Sequence, residues 1–431
     1  MKLRCHIAIA LAGTVMVLST PGARAQDLPG GGETQRYYNV KAGPIFITLN
    51  SSVQTQYTDN VNASNGKDSP ILSDLIITPR IGFTAASELQ MFPREREDLD
   101  RTTLSVSMNL GYENHLLQPS LNRNNTDFNI APDSEIAFRI LAGPVKIRVY
   151  DQMSMQSDSG SDGTLTNVAQ FRRFTNTIGA SAVWPINSLT NAHLDVSHRN
   201  LWALSILSVD SSGDTTSIGT SDFNNYVDTI SGDINSRVLS FLTLGMSASL
   251  SKTTFPSASD QDSTTIAYGP TASFQLSDYT TLNTSAGISE SIPSTGPSNT
   301  SEYANASLIN RFNQYYTQTF SVGRQLSLSL LGAQTQVDYV RYNGSWRMNS
   351  KITLNGTIGI EDTTYLGNGA SLGNIVNTSP YQMFRAELST QYRLSRKLST
   401  QFSYRYLKKL SDQADDGFSQ NMVTWDITYA F

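Results

Sequence analysis

The sequence predicts an all-β fold: a single transmembrane antiparallel β-barrel of about eighteen strands, preceded by a cleaved signal peptide. Three observations carry this. Segments of ten or more residues alternate apolar and polar side chains with a period of two along most of the chain. Their connections alternate between tight turns and longer stretches rich in Ser, Asp, Asn and Gly. The first residues carry the charge and apolar pattern of an export signal.

That signal reads MKLRCHIAIALAGTVMVLSTPGARA, residues 1–25. Lys2 and Arg4 give a positive start, Ile7 to Leu18 an apolar run, and Ala23-Arg24-Ala25 a small-residue site that places cleavage before Gln26. The run is too short to cross a bilayer as a helix. The single cysteine, Cys5, leaves with it, which excludes disulfides and thiolate metal sites from the mature chain. Loss of Lys2, Arg4 and Arg24 moves the net charge from −5 to −8, a balance that argues against nucleic acid as a partner. Residues 26–42, Gly-rich and polar, read as a loose periplasmic lead-in, and 43–431 as the barrel.

The alternating segments fall at 45–58, 73–88, 101–114, 133–142, 145–157, 169–184, 189–207, 223–238, 240–252, 263–277, 280–292, 301–313, 316–330, 335–348, 351–363, 380–394, 398–410 and 418–431. In 240–250, Leu242, Leu244, Met246, Ala248 and Leu250 share one face, and Thr243, Gly245, Ser247 and Ser249 the other. In 351–361, Ile352, Leu354, Ile358 and Ile360 oppose Lys351, Thr353, Asn355, Thr357 and Glu361. The last segment, NMVTWDITYAF, carries Val423, Trp425, Ile427, Tyr429 and Phe431 on one face. Tight connections such as Gly143-Pro144 and Asn349-Ser350 belong to the periplasmic side, and long ones such as 209–222, 292–300 and 366–379 to the outer side. One connection breaks the scheme: Gln90 to Asp100 is long and charged yet falls on the periplasmic side. A soluble sandwich would have to bury its apolar faces between two sheets, and a propeller would repeat a blade motif. A closed barrel instead leaves no strand edge unpaired in lipid.

If the apolar face meets lipid, the other lines the lumen. Alternation sends Arg139, Arg148, Arg173, Arg199, Arg341, Arg347, Arg385, Arg393 and Arg405 inward, together with Lys351. The inward acids are fewer: Glu135, Asp195, Glu361, Glu387 and Asp426. Inward arginines attract anions; the plainer reading is that they pair with the lumen acids and brace the wall. In 320–330, Arg324 shares a face with Phe320, Val322, Leu326, Leu328 and Leu330. A midplane arginine facing lipid costs roughly 2–4 kcal/mol. Either a bulge turns it inward or it lies near an interface.

Candidate chemistry is sparse. His193, Asp195 and Ser197 share a strand face, but side chains two apart on a strand sit too far apart for a direct Ser–His bond. DSGSDG, 158–163, has a partial calcium-loop pattern without the bidentate acid at the twelfth position, where Ala169 stands. No enzymatic activity, cofactor or metal is expected.

The C-terminal Tyr429-Ala430-Phe431 resembles the recognition signal of Gram-negative outer-membrane barrels. YTDNVNAS (57–64), DLIITPRIGFTA (74–85), RFNQYYTQTFSVGRQ (311–325) and YRLSRKLSTQFSYRYLKKLSD (392–412) resemble the beta-barrel porin type 2 family of exopolysaccharide-associated outer-membrane barrels. The resemblance implies an outer-membrane location and transport or secretion of polysaccharide; the family brings no catalytic residues. The resulting expectation is a porin-like channel for passive passage of hydrophilic solutes, anionic or saccharide. An exopolysaccharide export conduit and a non-transporting structural barrel are the alternatives. Expected partners are outer-membrane lipid and the barrel assembly machinery. The oligomeric state is left open.

Overall fold

The computed structural model describes residues 40–43, 45–67, 69–88, 103–122, 127–158, 167–328, 334–366, 379–411 and 416–431. The signal peptide, most of the lead-in, the 90–100 connection and the 159–163 part of DSGSDG lie outside these residues. Eighteen strands form the wall. They are β1 Ile45–Thr58, β2 Asp74–Glu88, β3 Thr103–Tyr112, β4 Phe128–Ala142, β5 Val145–Asp158 and β6 Val168–Pro185. Next come β7 Thr190–Val209, β8 Asn225–Leu239, β9 Leu242–Thr254, β10 Ser263–Ser277, β11 Thr280–Pro293 and β12 Asn299–Arg311. The last six are β13 Tyr316–Leu328, β14 Gln334–Arg347, β15 Ile352–Tyr365, β16 Tyr381–Arg393, β17 Leu398–Ser411 and β18 Phe418–Ala430.

Each strand pairs antiparallel with its chain neighbour, and β1 pairs with β18 from Asn50↔Ala430 to Thr58↔Met422. That last ladder closes the sheet on itself, so no backbone edge remains to be satisfied by lipid. The expected all-β barrel is the observed one, and most strand limits fall within two residues of those read from the alternation.

Three departures have local causes. β4 begins at Phe128, five residues before the expected start. Pro132 lies in that stretch, and the ladder to β5 accommodates it with a register shift between Ile130 and Ser134. The expected 101–114 strand splits, with Asn114–His115 pairing separately onto β2. The end of the lead-in is ordered: Val40–Ala42 folds back along Ile45–Ile47 as a short hairpin, turned at Gly43, whose φ of +61° suits a residue without Cβ.

The two faces differ as alternation requires. Outward lie residues such as Ile230, Ile234, Leu244, Met246, Ile288, Val340, Ile358 and Leu388, all exposed on the protein surface. So large an apolar skin is stable only against hydrocarbon. The short-turn rim carries Trp184, Phe241, Tyr279, Phe312, Tyr315 and Trp346, an aromatic girdle of the kind that marks a membrane–water boundary. Several of these turns use one device. The side-chain oxygen of Asn313 or Asn349 accepts two backbone N–H groups at 2.7–2.9 Å, from Tyr315 and Tyr316 or from Lys351 and Ile352.

Val423, Trp425, Ile427 and Tyr429 lie on the outward face of β18. Phe431 packs edge-on against Tyr429, with ring centroids 5.3 Å apart, and its N–H donates to the Leu49 carbonyl at 3.1 Å.

Candidate functional site

The lumen wall divides into arcs of different chemistry. Inward positions of β9 to β11 and of β13 carry Thr, Ser, Gly, Ala, Gln and Asn and no charge; β12 adds Ser301, Tyr303, Asn305, Ser307 and Ile309, with Arg311 at the short-turn end. Here small residues let long ones lie across the wall. A Cβ on Gly323 would sit 1.9 Å from the Asn305 amide oxygen, and one on Gly287 within 2.4 Å of the Tyr303 ring. Those two glycines are fixed by close approach.

The charges gather on two other arcs. On β4 to β7, Arg139 stands directly opposite Arg148, and Arg173 and Arg199 follow higher on the same wall with Glu135 and Asp195. On β14 to β17, Arg341 and Arg385 flank Gly359 on one rung, with Glu361, Glu387 and Arg405 on the rungs beside them. Arg347 and Arg393 lie at the short-turn ends of β14 and β16, also on the face opposite the apolar skin. The order of strands around the closed sheet puts these two arcs on opposite sides of the lumen.

Part of the inward charge is internally balanced. Arg148 pairs with Glu135, Arg341 with Glu361 at 2.7 Å, and Arg405 with Glu387 at 3.0 Å. Arg148 and Arg341 also lie over the rings of Tyr150 and Tyr339, at 4.4 and 4.6 Å. The wall-bracing reading therefore holds for these three arginines. Among the described residues, no carboxylate lies within ion-pair distance of Arg139, Arg199, Arg347 or Arg393.

Arg324 is turned outward, and no register shift interrupts its strand. It makes a bidentate pair with Asp338 at 2.6 and 2.7 Å, four residues from the long-loop end of β13. The bulge alternative is thereby excluded, and the outward-facing guanidinium has a charged partner. His193 reaches Asp233 across the β7–β8 ladder at 3.2 Å rather than Ser197.

The feature that sequence reasoning missed is the mouth. Residues 59–67 and 69–73, between β1 and β2, fold into the barrel at its long-loop end, and Asn60, Val61, Asn62, Ala63 and Ser64 are all buried. Asn60 organises the turn. Its Nδ2 donates to the carbonyls of Ser64 at 2.7 Å and Ser419 at 2.8 Å, and its Oδ1 accepts the Ser64 N–H at 2.9 Å. Asn62 does the same for the returning limb through Pro70 and Leu72. Asp59 clamps Asn421 of β18 through both its backbone N–H and its side chain, at 2.7 and 2.6 Å.

Two apolar contacts tie this loop to different walls. Ala63 packs with Met383, Leu407 and Phe418 of β16 to β18. Val61 packs with Ala169, Leu207 and Val209 of β6 and β7, and with Leu121 of the segment after β3. The tops of β6 and β7 are buried as well, under Phe223 from the loop that follows. The mouth is thus narrowed from both sides. The signal for this lay in the 57–64 stretch, whose Asn side chains can replace backbone partners inside a turn. Nothing local says that the turn points inward.

A closed, apolar-skinned barrel with a polar lumen defines the class: a transmembrane β-barrel of the outer-membrane type. No protein-family model matches the chain, and no curated protein matches it. Solved structures of similar architecture include the Pseudomonas aeruginosa outer-membrane protein OccK2 (OpdF), crystallised with glucuronate. It is 10% identical, at a TM-score of 0.48, over 89% of this chain and 98% of that one. OccAB4 of Acinetobacter baumannii is 8% identical at a TM-score of 0.47, over 89% and 98%. An anion-selective porin from Comamonas acidovorans is 13% identical at a TM-score of 0.38, over 90% and 100%. At these identities the likeness is one of fold.

Proposed function

We propose that this chain is a porin-like channel of the outer membrane that passes small hydrophilic solutes passively, with a bias toward anions. The observation that carries this reading is the pair of arginine-bearing arcs facing each other across the lumen, on β4 to β7 and β14 to β17. A solute crossing between them meets more positive than negative charge, although the chain as a whole is acidic. A barrel of eighteen strands is wide enough to leave a water-filled path. In this reading the short-turn rim and both chain ends face the periplasm, and the outward face of β18 is what the assembly machinery recognises.

Planar-bilayer conductance of the refolded mature protein under a salt gradient tests the reading. Open steps with a reversal potential on the anion side are expected. Serine in place of Arg139, Arg173, Arg385 and Arg393 should move that potential toward the cation side. A potential that does not move removes these residues from the lining. A folded barrel that stays electrically silent removes the open channel.

The burial of residues 60–64 favours a second reading, a gated export conduit for exopolysaccharide, the association that the family resemblance of the 57–64 stretch implies. A partner or the polymer itself would then have to displace the loop. A silent wild type that conducts once the loop is loosened would favour this conduit over a free channel.

A further inference from the structure

The short-turn rim of the lumen repeats one position around two-thirds of the wall. On β8, β10, β12, β14, β16 and β18, a residue near the short-turn end donates its backbone N–H to a carbonyl in the previous short turn along the chain, at 2.7–2.9 Å. The six donors are Arg237, Gln275, Arg311, Arg347, Arg393 and Ala430, and their acceptors are Leu189, Phe241, Tyr279, Tyr315, Lys351 and Lys397. Four of the six equivalent positions therefore hold arginine. Alternation turns them toward the lumen entrance, because Ile234, Trp346, Leu388 and Tyr429, at the opposite parity on the same strands, are exposed on the outward face. Lys351, also inward, stands between Arg347 and Arg393 in the β14–β15 turn.

The backbone of this ring is fixed, and its charges are not answered. Arg237, Arg311, Arg347, Lys351 and Arg393 are all exposed. Among the described residues their charged ends make no hydrogen bond or ion pair. The described short turns contain one acid, Asp278, beside two further cations, Arg396 and Lys397. The long-loop end has the opposite sign, with Asp210, Asp214 and Asp260 exposed. The two mouths of the barrel are thus electrostatically unlike, although the chain as a whole is acidic.

We propose that the short-turn rim is a binding site for an extended polyanion, a linear chain carrying several phosphates or carboxylates. Adjacent strands lie about 4.8 Å apart, so arginines on alternate strands are roughly 10 Å apart along the rim. Cations so spaced cannot converge on one small anion. Each alone, in water, holds a single charge weakly. A chain that bridges several of them makes each further contact intramolecular, and the weak contacts multiply. The guanidinium fork suits phosphate and carboxylate alike. The inference deepens the anion-channel reading and rests on it, since the ring lines the entrance to the same lumen.

Titration calorimetry of the folded full barrel in detergent tests the site, with linear polyphosphate of about ten units as the probe and orthophosphate as the control; polyphosphate should bind roughly tenfold or more tightly per phosphate. Polygalacturonate as a second probe separates carboxylate from phosphate chains, and binding of either supports the site. Arg237→Gln with Arg311→Gln should weaken polyphosphate roughly tenfold, and Gln275 already shows that glutamine fits this position. Lys351→Gln with Arg393→Gln is the second pair, and heat-modifiable migration confirms that each folds. Arg396→Ser with Lys397→Ser removes as much charge from the same rim outside the ring and should change binding less than either pair. The proposal is overturned if neither polyanion binds the wild type, if orthophosphate binds as tightly, or if the turn pair costs as much as the ring pairs. Bilayer conductance on the same preparations separates the two ideas. Polyanion binding to an electrically silent barrel supports the ring and sinks the open channel. Anion-selective steps without polyanion binding do the reverse.

Discussion

The wall from β8 to β13 and the mouth built on 59–67 are made from the same kinds of residue but follow different rules. In the wall each residue has one of two surroundings, lipid or lumen. Its place is fixed by its parity along the strand, as with Ile230 and Ile234 outward and Ser231 and Asp233 inward. In the mouth, successive residues from Asn60 to Ser64 are buried whatever their parity. The difference teaches where period-two reasoning stops: it works where a strand separates two solvents and fails where chain is packed on all sides by chain.

The strongest way to sharpen this comparison is to break a buried charge near the mouth. Lys409 donates to Asp416 at 2.6 Å, and both side chains are almost wholly enclosed. Lys409→Met leaves the carboxylate without that partner and should destabilise the barrel by about 3–5 kcal/mol. Urea unfolding in lipid vesicles measures it; a change below about 1 kcal/mol would mean that water reaches Asp416.

The wall gives the next effect. Ile358→Arg puts a charge into lipid at mid-strand and should cost roughly 2–4 kcal/mol. Its inward neighbour Thr357→Arg should stay within about 0.5 kcal/mol, as a substitution facing water does. Equal costs from the same unfolding assay would contradict the face assignment.

Asn60→Ala removes the donors to the Ser64 and Ser419 carbonyls and should weaken the mouth by about 1–3 kcal/mol. Larger single-channel steps are expected if the loop narrows the path, and unchanged steps would show that it does not.

The smallest effect is a pH dependence. Burial pushes the Glu113 carboxyl above its ordinary value of 4.5, against the opposing pull of its hydrogen bond from Asn129. The folded protein therefore keeps a proton that the unfolded chain has lost. The associated stability is present below the ordinary glutamate range and is lost as pH rises through the raised value. Glu113→Gln should flatten that part of the stability–pH curve. An unaltered curve would mean that Glu113 is hydrated in the mouth.

Much of the lumen was legible from parity alone. Arg139, Arg341 and Arg385 stand opposite the exposed apolar residues Ile136, Val340 and Leu388, as the alternation of their strands requires. Which of the inward arginines are balanced was not legible, because Arg341 reaches Glu361 only through the register of two paired strands. Arg324 shows the same limit from the other side. Its outward direction follows from the pattern, but its partner Asp338 is a cross-strand fact.

The sequence by itself determined the number of strands, most of their limits and which residues face outward. Each of these is a local response to lipid on one side and water on the other, and is written every second residue. Only the tertiary structure decided that two arginine arcs face each other and that residues 60–64 turn inward. Those outcomes depend on closure, which brings Asn60 against Ser419 and Asp59 against Asn421. Contacts between residues so far apart in the chain leave no periodic trace in either segment, so no pattern along the chain announces them.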